Sequence, residues 1–128
     1  MAKARSERDG GEGFDAWGEQ LRRGALELAI LLALAPEPRY GLQIIRHLED
    51  STDLVVAEGT VYPILARLTR DQLLDSSWRE DGVHPRKYYR LTARGRSRLT
   101  EMTRFWEDFT GKMSRLIVAA RGGRHESH

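Results

Sequence analysis

"EGTVYPILARL", residues 58–68, has the apolar spacing of a helix in Val61, Leu65 and Leu68, yet it carries a glycine, a tyrosine and a proline in its first two turns. Gly59 and Pro63 both weaken a helix that has only a core to fill. If Thr60 caps this helix, Pro63 occupies its third position, where the backbone N–H has no partner to lose. If the helix begins earlier, Pro63 crowds the Gly59 carbonyl, and the glycine leaves the backbone room to bend. Both arrangements put the cluster at a helix N-terminus lying against something large. Gly59 lets a phosphate approach the backbone, and the helix dipole favours that anion. Thr60 and Tyr62 offer hydroxyls, and Arg67 a bidentate donor, for phosphates or base edges. The plainer alternative makes Tyr62 a half-buried core aromatic and Pro63 an ordinary first-turn proline.

The segments on either side give this helix a context. Upstream, an apolar helix is expected from Trp17 to Ala35; its second half, ALELAILLALA, is apolar nearly all round and so should be buried on more than one side. APEPR stops it, because two prolines in three residues cannot continue a helix. A second helix is expected from about Tyr40 to Glu49, with Leu42, Ile45 and Leu48 on one face, followed by a connector over Ser51 to Ala57. Three helices joined by short connectors are consistent with a helix-turn-helix. Downstream, LLDSSW and KYYRL alternate as strands do, and Asp81-Gly82 and Pro85 between them mark a turn with a basic tip. A hairpin directly after such a helix is a wing. Of Tyr88 and Tyr89, alternation sends one inward and leaves the other free to offer its hydroxyl to a phosphate.

From Thr92, a plausible N-cap, one long helix follows. Leu99, Met102, Trp106, Phe109, Met113, Leu116 and Ala120 repeat at spacings of three and four, the pattern of a coiled-coil seam. A helix of about 28 residues runs roughly 42 Å, longer than so small a domain covers alone. A second copy of the chain is the economical partner, with Leu28 of the first helix joining the interface. Trp106 is either packing in that seam or, with Met102, Phe109 and Trp17, part of a cleft for a planar apolar ligand, a small aromatic effector.

Composition narrows the function classes. The 128 residues suit one domain, and the absence of cysteine excludes disulfides and thiolate metal sites and is consistent with a cytoplasmic setting. The four histidines, His47, His84, His125 and His128, have no metal-site spacing; no nucleophile elbow or phosphate loop is present. No enzyme, cofactor or membrane span is expected. The net charge is only +2, but Arg86, Lys87, Arg90, Arg94, Arg96 and Arg98 form a block without an acid. Such a block faces a polyanion or is simply solvated, and Arg94 and Arg96 remain open between the two. The expected organisation is a disordered arm over 1–13, a winged helix-turn-helix over 14–91, a dimerisation helix over 92–120 and a flexible tail over 121–128.

From Leu26 to Leu99 the chain resembles the PadR-like transcriptional regulators. The resemblance is carried by YGLQII, by EGTVYPILARL, and by LLDSSW through RKYYRLTARG. It implies a mostly α winged-helix homodimer, usually a repressor, bound to double-stranded operator DNA, with its C-terminal helix on the partner's first helix. The chain is similar to the smaller subgroup with a single C-terminal helix. Leu42 departs from the family, which often has tyrosine there, and this touches packing more than function. The resemblance puts Gly59, Thr60, Tyr62, Pro63 and Arg67 on the recognition helix and Arg86 and Lys87 at the wing. Arg79, His84 and Tyr88 join the DNA-binding set from their wing positions. The competing class is a protein-interaction module whose basic face or seam recruits another protein.

Overall fold

The computed structural model describes the backbone of residues 2–52 and 56–126 and the side chains of 13–52, 56–80 and 82–122. In chain order the elements are α1 (Ala2–Leu34), β1 (Arg39–Tyr40), α2 (Gly41–Thr52), α3 (Glu58–Arg70), β2 (Leu74–Asp81), β3 (His84–Leu91) and α4 (Ala93–Glu126). The strands form one antiparallel sheet in the order β1-β3-β2. This is the expected winged helix-turn-helix with a long C-terminal helix.

The core follows the apolar stripes. Leu26, Ile30, Leu31 and Leu34 of α1 meet Ile44, Ile45 and Leu48 of α2 and Val61, Leu65 and Leu68 of α3; Leu73, Leu74, Tyr89 and Leu91 close it from the sheet. Among the described residues no buried side-chain nitrogen or oxygen lacks a hydrogen-bond partner. No described helix is long and apolar enough to cross a membrane.

Several boundaries differ from expectation. α1 is helical from Ala2, where a disordered arm to Gly13 is expected; alanine, lysine, arginine and glutamate are good helix formers and offset the intervening glycines. α2 runs on to Thr52, shortening the connector, of which residues 53–55 lie outside the described residues. Tyr40 belongs not to α2 but to the short strand β1, pairing with Tyr88 while Arg39 pairs with Tyr89. Two residues are too few for an alternation signal, which explains why β1 escapes a sequence reading. α4 continues through the expected tail to Glu126; His125 and His128 lie outside the described side chains.

Two joints set the geometry of the wing. α3 ends with the Leu73 amide bonded to the Leu68 carbonyl and the Gln72 amide to the Thr69 carbonyl, at 2.9 and 3.0 Å. That pattern needs a left-handed residue at Gln72, whose φ is +65°. At the far end, Thr92 caps α4 as expected: its Oγ1 accepts from the Gly95 amide at 2.9 Å and donates to the Gln72 carbonyl at 2.7 Å. Between the joints the hairpin strands pair from Leu74↔Leu91 to Asp81↔His84. The turn is therefore only Gly82-Val83, with Gly82 at φ +69°, at the tip that Asp81-Gly82 marks in the sequence.

Candidate nucleic-acid interface

α3 begins at Glu58, two residues before Thr60. Its N-cap is Ala57, extended and without a side-chain cap, and the Ala57 carbonyl accepts from both the Thr60 and Val61 amides at 3.0 and 3.1 Å. Thr60 is thus not the cap, and Pro63 lies inside the helix, leaving the Gly59 carbonyl without its usual i+4 donor. The Glu58 and Gly59 amides have no acceptor within the helix, and both residues are exposed. A Cβ on Gly59 would meet nothing within 4 Å, so packing within the chain does not require glycine there.

Successive helical residues advance about 100°. Opposite the buried stripe of Val61, Leu65 and Leu68 this sets Gly59, Pro63, Ala66 and Arg70 in one exposed line. Arg70 is the residue the sequence reading missed; its signal was the seven-residue spacing from Pro63 on the outward face. Tyr62 flanks the line on the wing side, 39% exposed. Its ring lies so close to Gly41 that a Cβ there would collide with it. Partial burial, and secondarily the charge of Glu58, pushes the Tyr62 phenol above its usual pKa, and burial followed by Tyr62 does the same for Tyr89. Both phenols are neutral donors at physiological pH.

On the other flank, Arg67 does not point along the outward line. Its Nη2 donates to Glu27 Oε1 of α1 at 2.6 Å. The expectation of a freely available bidentate donor needs correction: 40 residues separate the partners, and no local pattern announces the pair.

The wing carries its cations on aromatic rings. Arg79 stacks over Tyr88 at 4.4 Å and Arg86 over Tyr40 at 4.3 Å, while the Tyr40 and Tyr88 rings meet edge to face at 5.4 Å. Arg79 and Arg86 are cross-strand partners, a destabilising pairing for like charges that the two rings relieve. Tyr88 and Tyr89 are both buried, at 8% and 7%. Alternation still sends them to opposite faces, but the Tyr40 ring packs against Tyr88 on the second face, so Tyr88 is a platform for Arg79. Lys87 reaches over Tyr89 at 5.9 Å. A groove of about 440 Å³ joins Tyr62 to His84, Arg86 and Lys87 of the wing, with Trp78 on its wall. Thr60 instead lines a recess of about 140 Å³ with Arg22 and Arg23 of α1. Of the basic block, Arg90 pairs across the hairpin with Asp75 at 3.4 Å, and Arg94, Arg96 and Arg98 are exposed on α4.

The seam of α4 divides. Leu99 and Met102 pack on the chain's own core, whereas Trp106, Phe109, Met113 and Leu116 are 38–64% exposed. Leu28, though buried at 7%, floors two clefts that flank Trp106. One, of about 310 Å³, is lined by Leu21 and Leu28 with Met102, Phe105, Trp106 and Phe109; the other, of about 350 Å³, by Leu21, Leu28, Leu32 and Trp106 among others. Trp17 lines neither: it stacks on Phe14 one turn earlier in α1, with centroids 6.1 Å apart. Phe105, stacked on Phe109 at 6.0 Å, takes its place. Among the described residues no cluster of His, Cys, Asp and Glu could hold a metal ion.

Comparison with known proteins gives the chain its relatives. The family model described as "Transcriptional regulator PadR-like family" matches residues 30–101. The chain is 36% identical over 89 residues to a transcriptional regulator of Mycobacterium tuberculosis, covering 70% of this chain and 82% of that protein. Its structure is similar to a PadR family transcriptional regulator from Eggerthella lenta, with a TM-score of 0.78, 32% identity, and 86% and 96% of the two chains covered. A PadR-like transcriptional regulator from Bacillus cereus matches with a TM-score of 0.71 and 28% identity over 77% and 96%. These relatives are regulators, not enzymes.

Proposed function

Because the chain belongs to the PadR-like family of transcriptional regulators, and so is a DNA-binding regulator, we propose that it is a cytoplasmic repressor that grips a pseudo-palindromic operator as a homodimer. The observation that carries the dimer is the exposed apolar stripe from Phe105 to Ile117 of α4. Monomeric soluble proteins rarely leave a contiguous stripe of this kind open to water. α4, at 34 residues, is about 51 Å long, and from Phe105 onward its apolar side chains are left open to solvent. A second copy that lays its own α1 and α4 over the stripe covers both. Two recognition helices then face one side, and operator symmetry mirrors that of the protein.

In this reading Gly59, Tyr62, Pro63 and Arg70 face the major groove, Thr60 meets the DNA backbone beside Arg22 and Arg23, and His84, Arg86 and Lys87 reach the neighbouring backbone. Arg79 and Tyr88 brace the wing. The clefts beside Trp106 fall at the lower end of the volume range of small-molecule sites, about 300–1,000 Å³. A planar apolar effector held there and favouring one spacing of the recognition helices would relieve repression by its differential affinity for the two states.

The test of the assembly is sedimentation equilibrium of Leu116→Asp, a residue 64% exposed whose loss leaves the monomer core intact. The variant should be a folded monomer with greatly weakened operator binding. A dimer that persists, or an unaltered affinity, would contradict the interface. Met102 is unsuitable for this purpose, since it packs on the chain's own core.

A further inference from the structure

Arg67 lies about 70° around α3 from the line of Gly59, Pro63, Ala66 and Arg70. A side chain this long, if released, reaches a phosphate laid along that line. It is not released: Glu27 holds it at 2.6 Å, with the two side chains 44% and 25% exposed. The pair is therefore partly screened from water and joins two helices. Of the basic groups of α1 nearby, Arg22 and Arg23, Arg22 pairs with Glu19 at 3.5 Å within α1 itself and is more exposed.

We propose that Glu27 sets the specificity of DNA binding by restraining Arg67, so that a duplex has to compete with a carboxylate for that guanidinium. The inference rests on the DNA-binding reading of α3. A free guanidinium is attracted to any phosphate, whatever the sequence. Left unrestrained, Arg67 would strengthen binding to random duplex as much as to operator. A correctly seated operator makes base-edge contacts that hold the protein in place while Arg67 exchanges partners; random duplex offers no such contacts. Glu27 thus lowers random binding more than operator binding. The other side of α1 carries Ala25 and Leu28, which line the clefts beside Trp106, so the helix that would sense an effector also holds the restraint.

Glu27→Gln keeps the size of the side chain and removes its charge. Fluorescence anisotropy is measured with a labelled duplex from the region upstream of the gene and with a random duplex, from 50 to 200 mM salt. For random duplex the expected slope of log affinity against log salt steepens by about 0.9 per released guanidinium, about 1.8 per dimer. Affinity then falls roughly twelvefold more across that fourfold range of salt. Binding to random duplex tightens at 50 mM, and the ratio of upstream to random affinity drops. In an Arg67→Gln background, Glu27→Gln should change nothing, which separates restraint of Arg67 from the mere loss of an acidic charge near DNA. Arg67→Gln alone should leave random-duplex affinity close to that of the unmodified protein.

An unchanged slope and ratio, or an equal loss on both duplexes in a variant that still melts cooperatively, would overturn the inference and make the pair a structural strut. A large loss of random binding in Arg67→Gln would overturn it too. Unmodified protein that binds neither duplex would overturn both this inference and the regulator reading; unmodified protein that binds, with an indifferent Glu27→Gln, overturns this one alone.

Discussion

Gly59→Ala separates what the fold needs from what the ligand needs. Gly59 is the second residue of α3, its φ is not positive, and an added Cβ meets nothing within 4 Å. Alanine is better than glycine in a helix interior by about 0.8–1.0 kcal/mol and gains less in a first turn, so a stabilisation of about 0.5 kcal/mol is expected. For a chain of this size that raises the melting temperature by roughly 2 °C. DNA affinity should move the other way. The methyl group stands on the outward line of α3, where the proposed interface brings a phosphate close to the backbone. Forcing an extra carbon into a packed contact costs about 1–3 kcal/mol, or roughly 5- to 150-fold in affinity per recognition helix. Thermal melting by circular dichroism and an anisotropy titration on the upstream duplex read the two effects separately. Unaltered affinity would refute the close approach at Gly59. A lower melting temperature would mean that the fold, not the ligand, demands the glycine.

Gly41→Ala drives a Cβ into the Tyr62 ring; the half-exposed ring can swing aside, so the cost in stability should be modest, about 1 kcal/mol, with a larger loss of DNA affinity as Tyr62 leaves the groove. Unchanged binding would remove Tyr62 from the interface. Gln72→Gly relieves a left-handed residue at the end of α3 and should stabilise the protein by about 1 kcal/mol in denaturant titration; no gain would mean that the Gln72 side chain contributes something glycine cannot. Flat aromatic compounds should quench tryptophan fluorescence in the unmodified protein but not in Trp106→Ala. Quenching that survives the substitution would move the effector away from the clefts, because Trp17 and Trp78 also report.

Much of the fold was legible because periodicity and punctuation agreed. Val61, Leu65 and Leu68 mark the buried face of α3, the prolines of APEPR end α1, and Thr92 caps α4. What escaped was of two kinds. β1 and the Ala57 cap depend on backbone pairing over one or two residues, too short to leave a pattern. The partners of Arg67 and Arg86 depend on elements distant in sequence, and a charge run does not say which of its members are already engaged. Tyr88 shows the same limit: alternation sets Tyr88 and Tyr89 on opposite faces, but does not say that Tyr40 packs against Tyr88. Arg70 is legible from helical geometry, seven residues beyond Pro63 on the outward face.

The most direct test of the central claim is an anisotropy titration of the unmodified protein with a labelled duplex from its own upstream region against random duplex, at 50 and 200 mM salt. A sequence-reading dimer that makes around 6–10 phosphate contacts should prefer the upstream duplex and lose roughly 10³–10⁵ in affinity between the two salt concentrations. Equal, weak and salt-insensitive binding to both duplexes would contradict it and turn the search to a protein partner for the same surfaces.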